Sequence, residues 1–341
     1  MSTKDVYEEL AEMEDRDDVV GMPKTPEFLK LLRLQFTPRE ARLAVQIGLT
    51  GGTLDELSEK TGMDKVKLKK MLHKMADKGT MWIDPGKEDP TYRVVGMGGG
   101  GLTETGLWGN IRFPYSVELG KALHQVMYDW TKDRLCPLGF PFAPVWGGTA
   151  ALPDDALPSE NLAEVIKEDG HWSVSTCPCR LSHWLVDPGN HCEHMLETCL
   201  HMGDVSRWAV DHGMAREITY DEAVELLRKC NEDGLVSTLY IHGCVCNCCR
   251  DCCVLFIALH KLGKQVLLRS PFMAQIGEET CNACKTCAER CPVGAIEVDQ
   301  FADVDQDLCI GCGACVPTCK TESAKLVRRP GAVQAQAPAP A

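Results

Sequence analysis

Apolar and polar residues alternate along residues 26–95 with the spacing of short helices followed by strands. Thr37 and Pro38 are typical of a helix start, because a Thr side chain accepts a backbone hydrogen bond there and Pro fits the first turn. Beyond them the pattern predicts two helices, over 53–61 and 64–78, and two strands, over 81–83 and 92–95. Helix, turn, basic helix and β-wing is the order of a winged helix-turn-helix domain, which we therefore predict here.

The middle of the chain mixes helical and strand periodicities, which predicts an α/β arrangement. Thr219 and Glu222 have the spacing of a capping box, and Gly234 is placed to end the helix that begins there. Helices are predicted over 116–131, 160–168, 204–212 and 220–231, and strands over 171–176, 235–241 and 265–269. Gly96–Gly101 is predicted to be a linker.

Composition narrows the class of protein. A chain of 341 residues suggests two or three domains. The formal net charge of −13 disfavours nucleic-acid binding by the whole protein, although a local basic patch is compatible with it. The most apolar stretch, near residues 254–259, is too short to cross a bilayer, and the N-terminal residues are acidic and polar, unlike an export signal. We expect a cytoplasmic protein without membrane insertion.

Twenty cysteines dominate the chemistry of the chain, and none of them precedes Cys136. The cytoplasm keeps thiols reduced, so clustered cysteines there favour metal binding over disulfides. Adjacent pairs such as Cys248 and Cys249 are also poorly placed to bond each other. The cysteine pattern therefore predicts metal centres.

Two runs near the C-terminus share the pattern Cys-x2-Cys-x2-Cys-x3-Cys. Thiolates at two-residue gaps fit one face of a cubic iron–sulfur cluster. Zinc knuckles also use Cys-x2-Cys, but the three-residue final gap in both runs favours iron and sulfide. The runs consist of Cys281, Cys284, Cys287 and Cys291, and of Cys309, Cys312, Cys315 and Cys319.

With the segments CPVGAI (291–296) and CIGCGAC (309–315), this stretch resembles bacterial-type ferredoxins that hold two [4Fe–4S] clusters. The resemblance implies a ferredoxin-like fold over 277–329, in which the last cysteine of each run ligates the other cluster. The implied ligands are Cys281, Cys284, Cys287 and Cys319 for one cluster, and Cys309, Cys312, Cys315 and Cys291 for the second.

Further cysteines lie in the central region, 159–276, in a less regular pattern. On a strand, Cys177 and Cys179 would face one side, whereas on a helix Cys248 would neighbour Cys252. We predict one or two additional Fe–S clusters, or a single cluster drawn from both halves of the region. The candidate ligands are Cys177, Cys179, Cys192 and Cys199 for one, and four of Cys246, Cys248, Cys249, Cys252 and Cys253 for the other.

Histidines lie among these cysteines, and His replaces Cys in some iron–sulfur and zinc sites. Each of them alone fits a surface or supporting position better than a ligand position. Cys136 and Cys230 stand apart, and Cys230 is predicted to be an inert thiol buried in an amphipathic helix. The histidines concerned are His183, His191, His194 and His201.

The order of the central cysteines ahead of a ferredoxin unit is similar to that of multi-cluster iron–sulfur proteins of anaerobic bacteria and archaea. The predicted fold class is α+β with several domains. The predicted boundaries are an acidic N-terminal segment at 1–25, a winged-helix-like domain at 26–95, a linker and helical region at 96–158, a central cysteine-rich domain at 159–276, a ferredoxin domain at 277–329 and a disordered tail at 330–341.

These features predict an electron-transfer protein that passes single electrons between a redox donor and a catalytic partner in anaerobic metabolism. The partner is expected to be an oxidoreductase or a flavoprotein. A redox-sensing DNA-binding regulator is one alternative, since lysines of the helix 64–78 would contact phosphates. Lysines read bases poorly, however, and a docking face is equally compatible with them. An iron–sulfur oxidoreductase subunit with its own substrate site is the third hypothesis.

Overall fold

The computed structural model describes residues 5–17, 21–96, 105, 108, 116–189, 192–241 and 243–332. His191, most of the predicted glycine linker and most of the predicted tail lie outside these residues. The chain forms two compact units. Residues 1–138, 175–191 and 204–217 belong to the first, and residues 139–174, 192–203 and 218–341 belong to the second.

The first unit consists mainly of helices with one small sheet. Strands β1 (Gly52–Thr53), β2 (Met81–Ile83) and β3 (Thr91–Val94) are antiparallel neighbours in the order β1-β3-β2. The helices span Val6–Glu14, Pro26–Gln35, Pro38–Ile47, Leu54–Thr61, Lys65–Ala76, Ser116–Trp130, Pro178–Val186 and Gly203–Asp211. The helices and strands predicted over 53–95 are therefore present, in the predicted order.

Capping explains why several helices begin where they do. Thr37 accepts a hydrogen bond from the backbone N–H of Glu40, and the Glu40 carboxylate accepts one from the N–H of Thr37. Pro38 occupies the first turn of that helix. The predicted capping box at Thr219 is also present, and it starts the longest helix of the second unit. Each box satisfies N–H groups that a helix cannot pair internally.

The second unit contains the central sheet and the C-terminal cysteine runs. Its helices span Leu162–Lys167, Tyr220–Asp233, Val254–His260 and Thr286–Arg290. Its strands are β4 (Ala143–Pro144), β5 (Trp172–Thr176), β6 (Glu197–Met202), β7 (Arg216–Ile218), β8 (Val236–Ile241), β9 (Cys244–Cys248), β10 (Leu267–Leu268), β11 (Phe272–Ile276), β12 (Ile296–Val298), β13 (Ala302–Val304) and β14 (Ala324–Arg328). Five of them form one sheet in the order β7-β5-β6-β9-β8, and the end of β5 (175–176) and the start of β7 (216–217) belong to the first unit.

The two faces of this sheet differ in chemistry. Strands β6 and β9 are antiparallel, with Leu200 opposite Val245 and His201 opposite Cys244. Leu200 and Val245 pack into the main hydrophobic cluster of the unit. Because successive side chains of a strand point to opposite faces, His201 and Cys244 lie on the other face. One face is therefore an apolar core and the other carries sulfur and imidazole.

The C-terminal part of the second unit consists of short antiparallel pairs. Strand β11 pairs with β14 over five residue pairs, and β12 pairs with β13 in a hairpin. The helix Thr286–Arg290 lies between β11 and β12 in the chain. Both cysteine runs lie mainly in the loops and turns between these elements. The backbone there is consequently free to turn its N–H groups and thiols toward one point.

Two local expectations about the central cysteines were wrong. Cys177 occupies the cap position of the helix Pro178–Val186 instead of extending a strand, because Pro178 fits a first helical turn and lacks the N–H that a strand would pair. Cys248 lies on β9 opposite Val236 of β8, so it is not a helical neighbour of Cys252.

Among the described helices, none combines the length and the apolar character that spanning a bilayer requires.

Candidate metal centres

Four buried thiols of the C-terminal part line one cavity. It has an empty volume of about 330 Å³, solvent at its mouth included, and its other walls are apolar side chains such as Ile296 and Leu326. The thiols are those of Cys291, Cys309, Cys312 and Cys315. This is the ligand set implied for the second cluster, since Cys291 comes from the first run and the other three from the second. Four soft donors around an apolar space fit a cubic iron–sulfur cluster.

Backbone N–H groups support these thiols as thiolates. The N–H of Ala295 lies 3.2 Å from Sγ of Cys291, and that of Ala274 lies 3.5 Å from Sγ of Cys309. Burial raises the pKa of Cys312 to about 12, and a hydrogen bond from the Ala314 N–H opposes that rise. Hydrogen bonds of this kind stabilise charge on sulfur and tune the metal that the sulfur binds. Metal binding would supply the remaining stabilisation, because it deprotonates the thiol.

Glycine is required beside this cavity. Gly311 has a φ of 70°, and a Cβ there would lie 2.1 Å from the carbonyl oxygen of Phe272. Gly313 has a φ of 73°, and its Cβ would lie 2.8 Å from Cβ of Ala151. Only glycine accepts both the left-handed backbone and the close approach. The second run therefore wraps tightly around the space that its thiols line.

The other four thiols of the two runs are more exposed. Cys284 is exposed, and the remaining members of the set, Cys281, Cys287 and Cys319, are half-buried. The Thr286 hydroxyl and N–H lower the pKa of Cys284, while the charge of Cys319 opposes this from nearby. Burial raises the pKa of Cys287, and the charges of Cys281 and Cys284 add to that rise. The charges of these four thiols therefore influence one another.

Both C-terminal sets therefore combine cysteines of the two runs. The charge of Cys287 in one set also raises the pKa of Cys315 in the other, after burial and the charges of its own set. The two neighbourhoods are thus close enough to interact electrostatically. When bound, a [4Fe–4S] cluster supplies one-electron redox chemistry at low potential. The chain itself holds the thiolates, excludes water around one set and directs N–H groups at sulfur.

The central cysteines form two separate groups. In the first, Sγ of Cys192 lies 3.4 Å from Sγ of Cys252 and 3.8 Å from Sγ of Cys249. All three sulfur atoms lie within 4.8 Å of one another. Cys230 and Leu235 pack in the same buried cluster. Hydrogen bonds from the other two thiols lower the pKa of Cys192, as does the backbone N–H of His194, and the same thiol contacts raise the pKa of Cys249 and of Cys252. One thiolate is therefore stabilised by two neighbouring thiols.

The second group lies on the sulfur-bearing face of the sheet. Ligand atoms of Cys199, His201 and Cys244 lie within 4.8 Å of one another, and all three residues are buried. The two sulfur atoms are 3.6 Å apart. Cys246 follows on the same face of β9 and hydrogen-bonds with Cys244. Further along, Sγ of Cys248 lies 3.1 Å from Sγ of Cys253.

The remaining predicted ligands lie in the first unit. Cys177 and Cys179 begin the helix Pro178–Val186, and their side chains hydrogen-bond with each other, which raises the pKa of Cys177. His183 lies further along the same helix, and its ring is perpendicular to that of His124 in a T-shaped contact. Cys192 and Cys199, predicted to join Cys177 in one cluster, lie in the second unit and in two different thiol groups.

Sequence reasoning missed Cys244 and gave His201 no preferred role, although both lie in the sheet-face group. It also assigned no metal role to Cys230. The signal that finds His201 and Cys244 is the antiparallel register of β6 and β9, which sets the two residues directly opposite each other. Such a register follows from long-range pairing, so spacing along one strand does not reveal it.

Comparison with known proteins identifies the C-terminal segment. Residues 274–297 and 302–323 match the family described as a 4Fe-4S binding domain, and each matched segment contains one of the two cysteine runs. Because the match covers both runs, the C-terminal segment is a ferredoxin-type 4Fe-4S domain. No solved structure matches the chain.

Two curated relatives match over a short stretch. One is a subunit of the ion-translocating oxidoreductase complex of Methanosarcina acetivorans, which is 40% identical over 68 residues, or 20% of this chain and 23% of that protein. The other is an uncharacterized ferredoxin of Methanocaldococcus jannaschii, which is 32% identical over 77 residues, or 22% of this chain and 45% of that protein. The chain thus spans less than half the length of the curated relatives it matches.

Proposed function

We propose that this protein is an iron–sulfur electron carrier that passes single electrons between a redox donor and a catalytic partner. The observation that carries the proposal is the set of four thiols, drawn from both cysteine runs, around one apolar cavity. We assign Cys309, Cys312, Cys315 and Cys291 to one [4Fe–4S] cluster and Cys281, Cys284, Cys287 and Cys319 to the other. The similarity to a ferredoxin and to one component of an oxidoreductase complex supports the same class of function.

A short connection leads from this domain to the central thiols. Arg250 follows Cys249 in the chain, and its guanidinium donates a hydrogen bond of 3.3 Å to the carbonyl oxygen of Cys291. Cys291 belongs to the C-terminal set, and Cys249 belongs to the first central group. His260 also contacts this segment, with Nε2 2.9 Å from the carbonyl oxygen of Pro292. We propose that this contact positions the central region against the C-terminal set, so that electrons can pass between the two regions.

The central thiols add one or two further iron–sulfur centres to this path in our proposal. The sheet face is the candidate place for such a centre, because its donors extend along β9 beyond the closely spaced Cys199, His201 and Cys244 and exceed the four that one tetrahedral ion takes. The donors there are Cys199, His201, Cys244, Cys246, Cys248 and Cys253. We retain Cys177 and Cys179 as candidate ligands of the first unit. We also retain the predicted domain boundaries as part of this proposal.

The partner that we propose is a basic surface on an oxidoreductase or a flavoprotein of anaerobic metabolism. Exposed carboxylates lie on and beside the β12–β13 hairpin, close in sequence to the C-terminal set. A cluster of negative charge speeds encounter with a positive surface at low salt. The residues concerned are Glu297, Asp299, Asp303, Asp305 and Asp307.

We propose a winged-helix role in partner docking for residues 26–95. The helix Lys65–Ala76 presents Val66 with 77% of its surface exposed, among exposed lysines. An exposed apolar residue within a basic surface suits a protein partner better than a phosphate backbone. A gel-shift titration at two salt concentrations tests the alternative. Sequence-specific, redox-dependent DNA binding would favour the regulator hypothesis.

The decisive experiment is anaerobic purification of the full chain with iron and acid-labile sulfide measured per chain. We expect at least about eight irons and eight sulfides, and an EPR signal of interacting reduced clusters. The reduced protein should then pass electrons one at a time to a viologen dye in a stopped-flow measurement. Metal-free protein, or clusters that reduce no acceptor, would contradict the proposal.

A further inference from the structure

The sulfur–sulfur distances in the first central group are shorter than those between the thiolate ligands of an iron–sulfur cube. When one metal ion binds several thiolates at about 2.3 Å in a tetrahedron, the sulfur atoms lie about 3.8 Å apart. The observed distances from Cys192 are 3.8 Å to Cys249 and 3.4 Å to Cys252. In a [4Fe–4S] cluster each thiolate binds a different iron at a different corner, so the thiolates are held further apart.

The C-terminal ligand set of the same chain is spaced differently from the central groups. In the part of the chain that the structure describes, two groups bring three ligand atoms within 4.8 Å of one another, and both are central. The C-terminal set instead lines an apolar pocket, and its thiols form no such close group. In the first central group Leu235, Leu226 and Met195 pack against the cysteines.

Backbone N–H groups are arranged for sulfur ligands in this group. The N–H groups of Asp251 and Cys252 each lie 3.3 Å from Sγ of Cys249. The N–H of His194 donates to Cys192. A turn that directs two successive N–H groups at the first sulfur of a Cys-x2-Cys pair stabilises thiolates that bind a metal. The hydrogen bonds to Cys249 form within Cys249–Cys252, so they do not require metal at any other site.

A fourth thiol packs in the same buried cluster, although its sulfur does not lie within 4.8 Å of all three. Cys230 lies on the helix Tyr220–Asp233, is fully buried, and packs in the same cluster as Cys249 and Cys252. Four thiolates complete the tetrahedron of a structural metal site. The sequence predicts an inert role for Cys230, because its helix is amphipathic and the thiol stands apart from the other cysteines.

We propose that Cys192, Cys249 and Cys252 bind one tetrahedral metal ion, zinc or iron, and not an iron–sulfur cube, and that the neighbouring Cys230 becomes its fourth ligand through a change of side-chain rotamer. The inference rests on the proposal that the central thiols bind metal, and it does not depend on electron transfer. A single ion here ties the loop at Cys192, the turn after β9 and the helix that carries Cys230 into one structural element. Its Cys249 ligand lies next to Arg250, which contacts the C-terminal set.

The test compares Cys192→Ser with Cys136→Ser, a change at a buried thiol of the first unit outside both groups. Metal is measured by mass spectrometry and acid-labile sulfide by assay on the full chain purified without air. We expect Cys192→Ser to lose about one metal ion with no loss of sulfide, and Cys136→Ser to lose neither. Loss of about four irons with four sulfides would overturn the proposal, and so would unchanged metal content.

X-ray absorption on the unaltered protein keeps the proposal testable if Cys192→Ser fails to fold. Zinc at the site would show a zinc edge with four sulfur neighbours and no metal–metal scattering. If the edge shows no zinc, Cys230→Ser combined with Mössbauer spectroscopy separates a single high-spin iron from cube iron. Absence of both species would overturn the proposal. The viologen assay is run on the same samples, so a failure of electron transfer is read separately from a failure of the metal assignment.

Discussion

The two cysteine-rich regions of the second unit differ in how they bring thiols together to bind metal. The C-terminal region collects eight thiols from two short, regular runs, and four of them surround an apolar cavity. The central region collects thiols from distant strands, a helix and a turn, with sulfur atoms of the first group as close as 3.4 Å. Regular spacing suits a cluster that is larger than an ion, whereas contact between distant elements suits ions that tie those elements together.

The largest effect should follow loss of a buried C-terminal ligand. Cys309→Ser removes one of the four thiols at the cavity and should remove about half of the iron and sulfide of that domain. Iron, sulfide and reduced-state EPR measure the change. The metal of the first central group should stay, because its ligands are separate. If Cys309→Ser also empties the central group, the two regions bind metal as one system and the comparison fails.

A smaller effect is expected at Gly311. In Gly311→Ala the new Cβ would meet the Phe272 carbonyl oxygen at 2.1 Å in a left-handed backbone, which should destabilise the domain by about 2 kcal/mol or more. Gly294→Ala is the matched control. Gly294 has a similar φ of 67° but open space around its Cβ, so it should cost about 1 kcal/mol.

Thermal unfolding with retained iron as the readout compares the two glycine variants. If Gly311→Ala and Gly294→Ala lower the stability and the retained iron equally, the left-handed backbone alone sets the cost of substitution. The close approach to the Phe272 carbonyl would then add nothing to it.

The contact between the regions predicts a kinetic effect without loss of metal. Arg250→Gln removes the guanidinium that donates to the Cys291 carbonyl and should slow electron equilibration several-fold. Rapid-freeze EPR after mixing with a reductant follows the equilibration. Arg228→Gln is the control, since the Arg228 guanidinium forms ion pairs with Glu225 and Glu232 of its own helix. Unchanged kinetics in Arg250→Gln would remove this path from the proposal.

The smallest effect concerns the helix that carries Cys230. Thr219→Ala removes the side-chain cap of that helix and should lower the free energy of unfolding by about 1 kcal/mol. Chemical denaturation of the purified protein measures it. The C-terminal iron and sulfide should stay constant. A loss of C-terminal sulfide in Thr219→Ala would show that the two regions are not independent.

Local features of the chain were predictable because they depend on neighbours in sequence. The caps at Thr37 and Thr219, the helices and strands over 53–95 and the 4Fe–4S character of the C-terminal runs all follow from short fixed gaps. A cap acts within three residues, and a Cys-x2-Cys turn positions its own thiols.

The sequence by itself therefore determined that the C-terminal runs form a 4Fe–4S domain and that the central cysteines are candidate ligands, although it gave no metal role to Cys230 or Cys244. Only the tertiary structure decided how the central thiols are grouped. Cys192 meets Cys249 and Cys252 across a gap of about sixty residues, and His201 meets Cys244 through strand register. The physical reason is that a ligand group built from distant elements is fixed by packing and pairing, which no local spacing encodes.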